Sequence, residues 1–231
     1  MIHLVLLLPL LAEGAAPSSY LADLRAEMQN VWPRNRTINI VCHGHSVPAG
    51  YFKTPFVNTF EAYPHLLHRL LKDAYPNAVV NVIVTAIGGE NSEQGARRFQ
   101  RDVLALHPDV VLIDYGLNDR RIGLDRARKA WLQMIRAAQR RRVKVILLTP
   151  TADDKANLSD PADPLVMHAQ QIRQLAAESG VGLADSFKEF QAKVSEGNDV
   201  HGFLSQSNHP NLGGHQLVLR RLAPYFVPGP R

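Results

Sequence analysis

The chain has 231 residues, enough for one domain with a substantial core. Hydrophobic residues make up 45% and charged residues 20%, which excludes gross disorder. The net charge of +5 comes without a basic arm, zinc-finger spacing or aromatic–basic interleaving, so no nucleic-acid partner is expected. The single cysteine, Cys42, excludes an internal disulfide framework and a multi-cysteine zinc site.

Residues 1–16 read as a targeting segment. A leucine-rich run interrupted by Pro9 is too short to span a bilayer, and Gly14-Ala15-Ala16 supplies small residues for cleavage. The amino-terminal region lacks the usual Lys or Arg and carries only His3. The expectation is an exported protein, periplasmic or secreted, with no stable membrane span after signal removal and with 17–231 as a single domain.

Helical spacing of Leu21, Leu24 and Met28 predicts a helix over 18–32, ended by Pro33. The β-branched run 37–42 is the first strand. Residues 43–58 form a loop with Gly44, Pro48, Gly50 and Pro55 as breakers. A helix over 60–74, a strand over 78–85, a glycine loop at 87–92 and a helix over 93–106 follow. The third strand is 110–115 and the next loop 116–121. The helix 124–142 places Ala127, Trp131, Met134, Ile135 and Ala138 on one side and ends in three arginines, which suit the negative end of its dipole. A strand at 143–148, a polar loop at 153–164, a helix at 165–179, a strand at 181–185 and a helix at 187–194 complete the alternation. Residues 197–208 are irregular, and 212–225 is the closing helix.

Strands that are apolar throughout and alternate with helices predict a five-stranded, mainly parallel sheet covered on both faces. In such sheets sites gather at the carboxyl ends of the strands. That places Ser46, the loop Gly88-Gly89-Glu90-Asn91 and the loop Gly116-Leu117-Asn118-Asp119 on one edge.

Ester hydrolysis by covalent catalysis needs a hydroxyl nucleophile, a base and oxyanion donors. Ser46 is the candidate nucleophile. Gly89 offers a backbone N–H where a side chain would obstruct approach, and Asn118 a side-chain N–H. The base is His209, held by Pro210 at the start of the last helix. His43, His45 and His201 lack a metal-site spacing, so no metal and no cofactor are expected. Cys42 reads as a buried inert thiol, Glu90 and Asp119 as loop-holding groups, and Arg97 and Arg98 as solubilising charges on a helix. Tyr51, Phe52 and Lys53 either line the substrate entrance or form an ordinary surface loop.

Four blocks in order resemble the SGNH (GDSL-like) hydrolase family: Gly44-His45-Ser46, Ile87-Gly88-Gly89-Glu90-Asn91-Ser92, Gly116-Leu117-Asn118-Asp119 and His209-Pro210-Asn211. The resemblance implies a flavodoxin-like, three-layer α/β/α fold with Ser46 as nucleophile and His209 as base. Gly89 and Asn118 would join the Ser46 backbone N–H in the oxyanion hole. It further implies a serine esterase for short-chain carboxylic esters, acetyl esters of carbohydrate among them, whose partner is a small-molecule or carbohydrate ester. A lysophospholipase or thioesterase and a weakened carbohydrate-binding relative are the alternatives. Two positions depart from the family pattern. His45 stands where the family has Asp before the serine, and Gln206 stands where it has Asp three residues before the histidine. The third catalytic member is therefore open. Gln206 or a backbone carbonyl could orient a Ser–His dyad, Asp199 could reach His209, or the site could be weakened.

Overall fold

Each apolar run expected as a strand lies in a single five-stranded sheet. The computed structural model describes residues 17–227, so the expected targeting segment lies outside the described residues. In chain order the main elements are α1 (Ala22–Met28), β1 (Thr37–Gly44), α2 (Tyr63–Ala74), β2 (Val79–Val84), α3 (Ser92–Asp102), β3 (Val110–Asp114), α4 (Leu124–Arg140), β4 (Lys144–Leu148), α5 (Pro164–Ser179), β5 (Gly182–Ala184), α6 (Ser186–Ser195) and α7 (Leu212–Phe226). The order across the sheet is β2-β1-β3-β4-β5 and every pairing is parallel. The chain steps outwards from β1 to β2, then crosses back to β3. This reversal at β1 and β3 opens a crevice at their carboxyl ends.

Successive strand residues feed opposite layers, as the two-residue period requires. On β3, Val110 and Leu112 join the layer built with Leu67 and Leu71 of α2 and Val218 and Leu222 of α7. Val111 and Ile113 join Phe99 of α3, Trp131 and Ile135 of α4 and Ile172 of α5. Each large side chain fully buried this way contributes about 1.5–3 kcal/mol. The three-layer α/β/α architecture is thus the one expected from the alternation. Among the described residues no helix is long and apolar enough to cross a membrane.

The departures lie at the sheet's carboxyl edge. Ser46–Ala49 and Gly116–Asp119, expected as loop, are single helical turns. The irregular stretch before α7 contains a small antiparallel hairpin, β6 (Leu204–Gln206) with β7 (His209–Pro210). Ser207 in its turn takes a left-handed φ of 39°. The hairpin sets His209 opposite Gln206.

Candidate active site

The site begins where β1 and β3 run side by side. Gly44 pairs with Asp114. A Cβ at position 44 would lie 2.4 Å from the Asp114 carbonyl oxygen and 2.7 Å from Pro48 Cγ, so only glycine permits this approach. The next residue, His45, caps the helical turn that starts at Ser46: its Nδ1 accepts from Val47 N–H at 3.2 Å. Ser46 is thereby held at the first position of the turn, where its own N–H has no intrahelical acceptor.

Across the crevice, the β6–β7 hairpin delivers the imidazole. His209 Nε2 lies 3.1 Å from Ser46 Oγ. Its Nδ1 lies 2.9 Å from the backbone carbonyl oxygen of Phe52. A carbonyl can only accept, so it selects the tautomer with the proton on Nδ1 and leaves Nε2 free to accept from the serine hydroxyl. Burial lowers the His209 pKa below its ordinary value, the Phe52 carbonyl opposes that, and His45 nearby adds to the lowering.

The other two strand-end loops are tied to one another. Asn118 Nδ2 donates to the Glu90 carbonyl at 2.9 Å, which occupies one amide hydrogen and leaves the second. Gly89 has φ 81°, a conformation that side chains resist, and nothing lies within 4 Å of where its Cβ would be.

A model of the GDSL-like lipase/acylhydrolase family matches residues 42–217, which include all four strand-end blocks. The chain belongs to this family. It is a carboxylic ester hydrolase of the SGNH group. No curated protein sequence matches it. Among solved structures it is similar to Axe2, an acetylxylan esterase from Geobacillus stearothermophilus, with TM-score 0.72 and 21% identity over 82% of this chain and 94% of that one. It is also similar to a protein assigned as a GDSL-like lipase from Parabacteroides merdae, with TM-score 0.71 and 17% identity over 86% of this chain and 98% of that one. At these identities the likeness concerns the fold.

Both departures from the GDSL-like pattern have a structural answer. Neither Gln206 nor Asp199 orients the His209 ring, contrary to two of the arrangements left open by the sequence. Gln206 Oε1 instead accepts from Thr54 N–H at 2.7 Å, two residues beyond the Phe52 carbonyl that holds the ring. Asp199 caps a 3-10 turn by accepting from His201 N–H, and its side chain is exposed. The acceptor at His209 Nδ1 is instead the backbone carbonyl of Phe52. At the other departure, His45 performs the capping that an aspartate would. Its Nε2 faces Asp114 Oδ1 at 3.4 Å, in ion-pair range but outside hydrogen-bond alignment.

Beneath the glycine loop lies a polar network. Arg98 is only 8% exposed and so is not the solubilising charge expected from the sequence. Its Nε donates to Glu90 Oε2 at 2.9 Å and its Nη2 to the Tyr115 hydroxyl at 3.2 Å. That hydroxyl lies 3.1 Å from His43 Nε2. Burial, and then Arg98, push the His43 pKa down to about 3, so this ring stays neutral at physiological pH. Asp119 accepts from Ser92 N–H at 2.8 Å and from Trp131 Nε1–H at 2.6 Å, which fixes the start of α3 against the Asn118 turn. Glu90 and Asp119 therefore hold loops in place, as expected. His215 accepts from Tyr63 N–H at 3.2 Å, and burial pushes its pKa down to about 3. Cys42 is fully buried and its thiol pKa is raised by that burial, which makes it inert.

The Phe52 carbonyl and the Asp114 partner of His45 were not legible beforehand. The first is a backbone atom in a loop and carries no side-chain signal. The second lies at the end of β3, where an Asp reads as an ordinary strand terminus.

Proposed function

We propose that this protein is a serine esterase that hydrolyses short-chain carboxylic esters by way of a Ser46 acyl-enzyme. The observation that carries the reading is the relay Ser46 Oγ, His209 Nε2, His209 Nδ1 and Phe52 carbonyl oxygen, with steps of 3.1 Å and 2.9 Å. Ser46 Oγ attacks the ester carbonyl carbon as its proton passes to His209 Nε2. The Nδ1–H donates to the Phe52 carbonyl throughout and keeps the ring aligned. The negative oxygen of the tetrahedral intermediate is met by the N–H groups of Ser46 and Gly89 and by the second amide hydrogen of Asn118. Collapse breaks the bond to the alkoxide oxygen, which leaves with the proton from Nε2. Water then attacks the acyl-enzyme, again through His209, and releases the acid and free Ser46.

An acetyl ester of a carbohydrate is the substrate class we favour. Axe2 is named an acetylxylan esterase, and its catalytic mutants replace a serine, a histidine and an aspartate three positions before that histidine. The present chain keeps counterparts for the serine and the histidine and uses a carbonyl in place of the third. Export is part of the same proposal, and the leucine-rich residues 1–16 support it.

The test is turnover of p-nitrophenyl acetate and labelling by a fluorophosphonate. Ser46→Ala should lose labelling and drop kcat by about 10⁴-fold or more. Equal turnover by wild type and Ser46→Ala would overturn the assignment.

A further inference from the structure

Tyr51 is absorbed neither by the relay nor by the oxyanion donors, yet it is fixed directly beside them. Its N–H donates to the Ser46 carbonyl at 3.0 Å, which anchors it one turn after the nucleophile. An isolated antiparallel bridge to Val57 and the bond from Asn58 N–H to the Gly50 carbonyl at 2.8 Å hold the loop from the other side. The ring lies beside His209, with centroids 5.9 Å apart and planes tilted by 44°. Its far end reaches the glycine loop, where a Cβ on Gly88 would sit 3.0 Å from Tyr51 Cζ and 3.1 Å from its hydroxyl oxygen. The ring thus packs closely on Gly88, and a side chain there would have to shift it by a few tenths of an ångström. The side chain is half-buried, and its hydroxyl has no hydrogen-bond partner among the described residues.

The chemistry of the reaction says which part of a substrate meets this ring. The leaving oxygen takes its proton from His209 Nε2, so the alcohol part of the ester must lie on the His209 side of the nucleophile. The aromatic ring packed beside that imidazole is Tyr51. A flat, rigid ring that is only half-buried suits an alcohol that also presents a flat apolar face, such as a pyranose or an aryl group. It offers little to a small alkyl alcohol.

We propose that Tyr51 is the platform for the alcohol part of the substrate and selects esters of ring-bearing alcohols. The inference rests on the Ser46–His209 reading above and adds the group that selects the leaving alcohol. It concerns binding, so its effect falls on KM and follows the alcohol, not the acyl chain.

The experiment compares wild type, Tyr51→Ala and Tyr51→Phe on ethyl acetate, phenyl acetate and a methyl mono-O-acetyl-xylopyranoside, with phenyl butyrate as the acyl control. Active sites are counted by fluorophosphonate labelling. Tyr51→Ala should raise KM about three- to tenfold for the two ring alcohols, the size of a single aromatic contact, and leave ethyl acetate within about twofold. Tyr51→Phe should behave as wild type, because the ring does the work and the hydroxyl is unengaged. The ratio of phenyl acetate to phenyl butyrate should not move. An equal loss on every ester would overturn the inference in favour of a packing role. A changed acyl ratio, or a loss in Tyr51→Phe as large as in Tyr51→Ala, would overturn it too. Should Tyr51→Ala fail to fold, Tyr51→Leu removes the flat face while keeping apolar bulk and must show the same split. A wild type inert on all four esters overturns the esterase reading and this inference together. An active wild type without the split overturns only the inference.

Discussion

Replacing Gln206 by Ala separates the two ways in which this position could serve the base. In the structure Gln206 touches Thr54 N–H at 2.7 Å, not the imidazole. The bond is solvent-exposed, so its removal costs about 1 kcal/mol, or about fivefold if the whole loss appears in the alignment of His209. The loop has other tethers: Phe52 N–H to the Phe56 carbonyl at 3.0 Å, Phe56 N–H to the Lys53 carbonyl at 2.8 Å, and Tyr51 N–H to the Ser46 carbonyl at 3.0 Å. These keep the Phe52 carbonyl near His209 Nδ1 and make fivefold an upper figure. A third member acting directly on the ring behaves differently, since neutralising the aspartate of a serine protease costs about 10⁴ in kcat. The assay is kcat for p-nitrophenyl acetate across pH, corrected for active sites by fluorophosphonate labelling. Gln206→Ala should retain at least about a fifth of kcat with the same acid limb. Gln206→Asp places a negative charge near the base and should move that limb to higher pH. A loss in Gln206→Ala of about 100-fold or more would refute orientation by the backbone carbonyl.

Further outcomes follow from the same geometry. Asn118→Ala removes one oxyanion donor and should lower kcat by about 10²–10³-fold with KM little changed, read from steady-state kinetics. His209 acts when neutral, and its pKa is lowered by burial, so kcat/KM should be full at neutral pH and fall only as pH drops through a limb below the ordinary value of 6.5; a limb above pH 7 would contradict the site. His43 and His215 are held neutral with pKa near 3 by burial, so the unfolded chain takes up protons first as pH falls. Stability present above pH 6.5 should therefore decline below it, by at most about 1.4 kcal/mol per pH unit for each ring, measured by urea melts between pH 7 and 5. Arg98→Met leaves the part-buried Glu90 carboxylate with the Tyr115 hydroxyl and solvent as partners and should destabilise the fold by roughly 1–3 kcal/mol, seen as a lower thermal midpoint.

The sheet was legible because each strand is an apolar run bounded by Gly or Pro, and the period of two distributes Val110, Val111, Leu112 and Ile113 between the two layers without tertiary information. The meeting of Ser46 and His209 was legible because each is a residue type its chemistry demands at a strand end or helix start. Arg98 was misread because a helix face rich in Arg and Gln gives no hint that one guanidinium turns inward to Glu90. The short turns at Ser46–Ala49 and Gly116–Asp119 were missed because four residues carry no period. They arise from caps and from the strand ends on which they sit.

The two positions that break the family spelling obey one rule. At 45 the fold needs an acceptor aimed at Val47 N–H, and a neutral imidazole nitrogen supplies it as an aspartate oxygen would. At the base it needs an acceptor aimed at His209 Nδ1, and the Phe52 carbonyl supplies it. In both places direction is kept while a formal charge is given up. Direction fixes the tautomer, which decides whether Nε2 can take the Ser46 proton at all. Charge would add stabilisation of the imidazolium formed during attack. A neutral carbonyl therefore preserves the route but supports the imidazolium less than a carboxylate would; the lowering of the His209 pKa itself comes from burial, which the Phe52 carbonyl partly opposes. It follows that a new carboxylate at 206 can help only where it leaves the Phe52 carbonyl in place. Gln206→Asp should raise the pKa of the base, and it should raise kcat only if the 52–54 segment holds its position without the Thr54 tether.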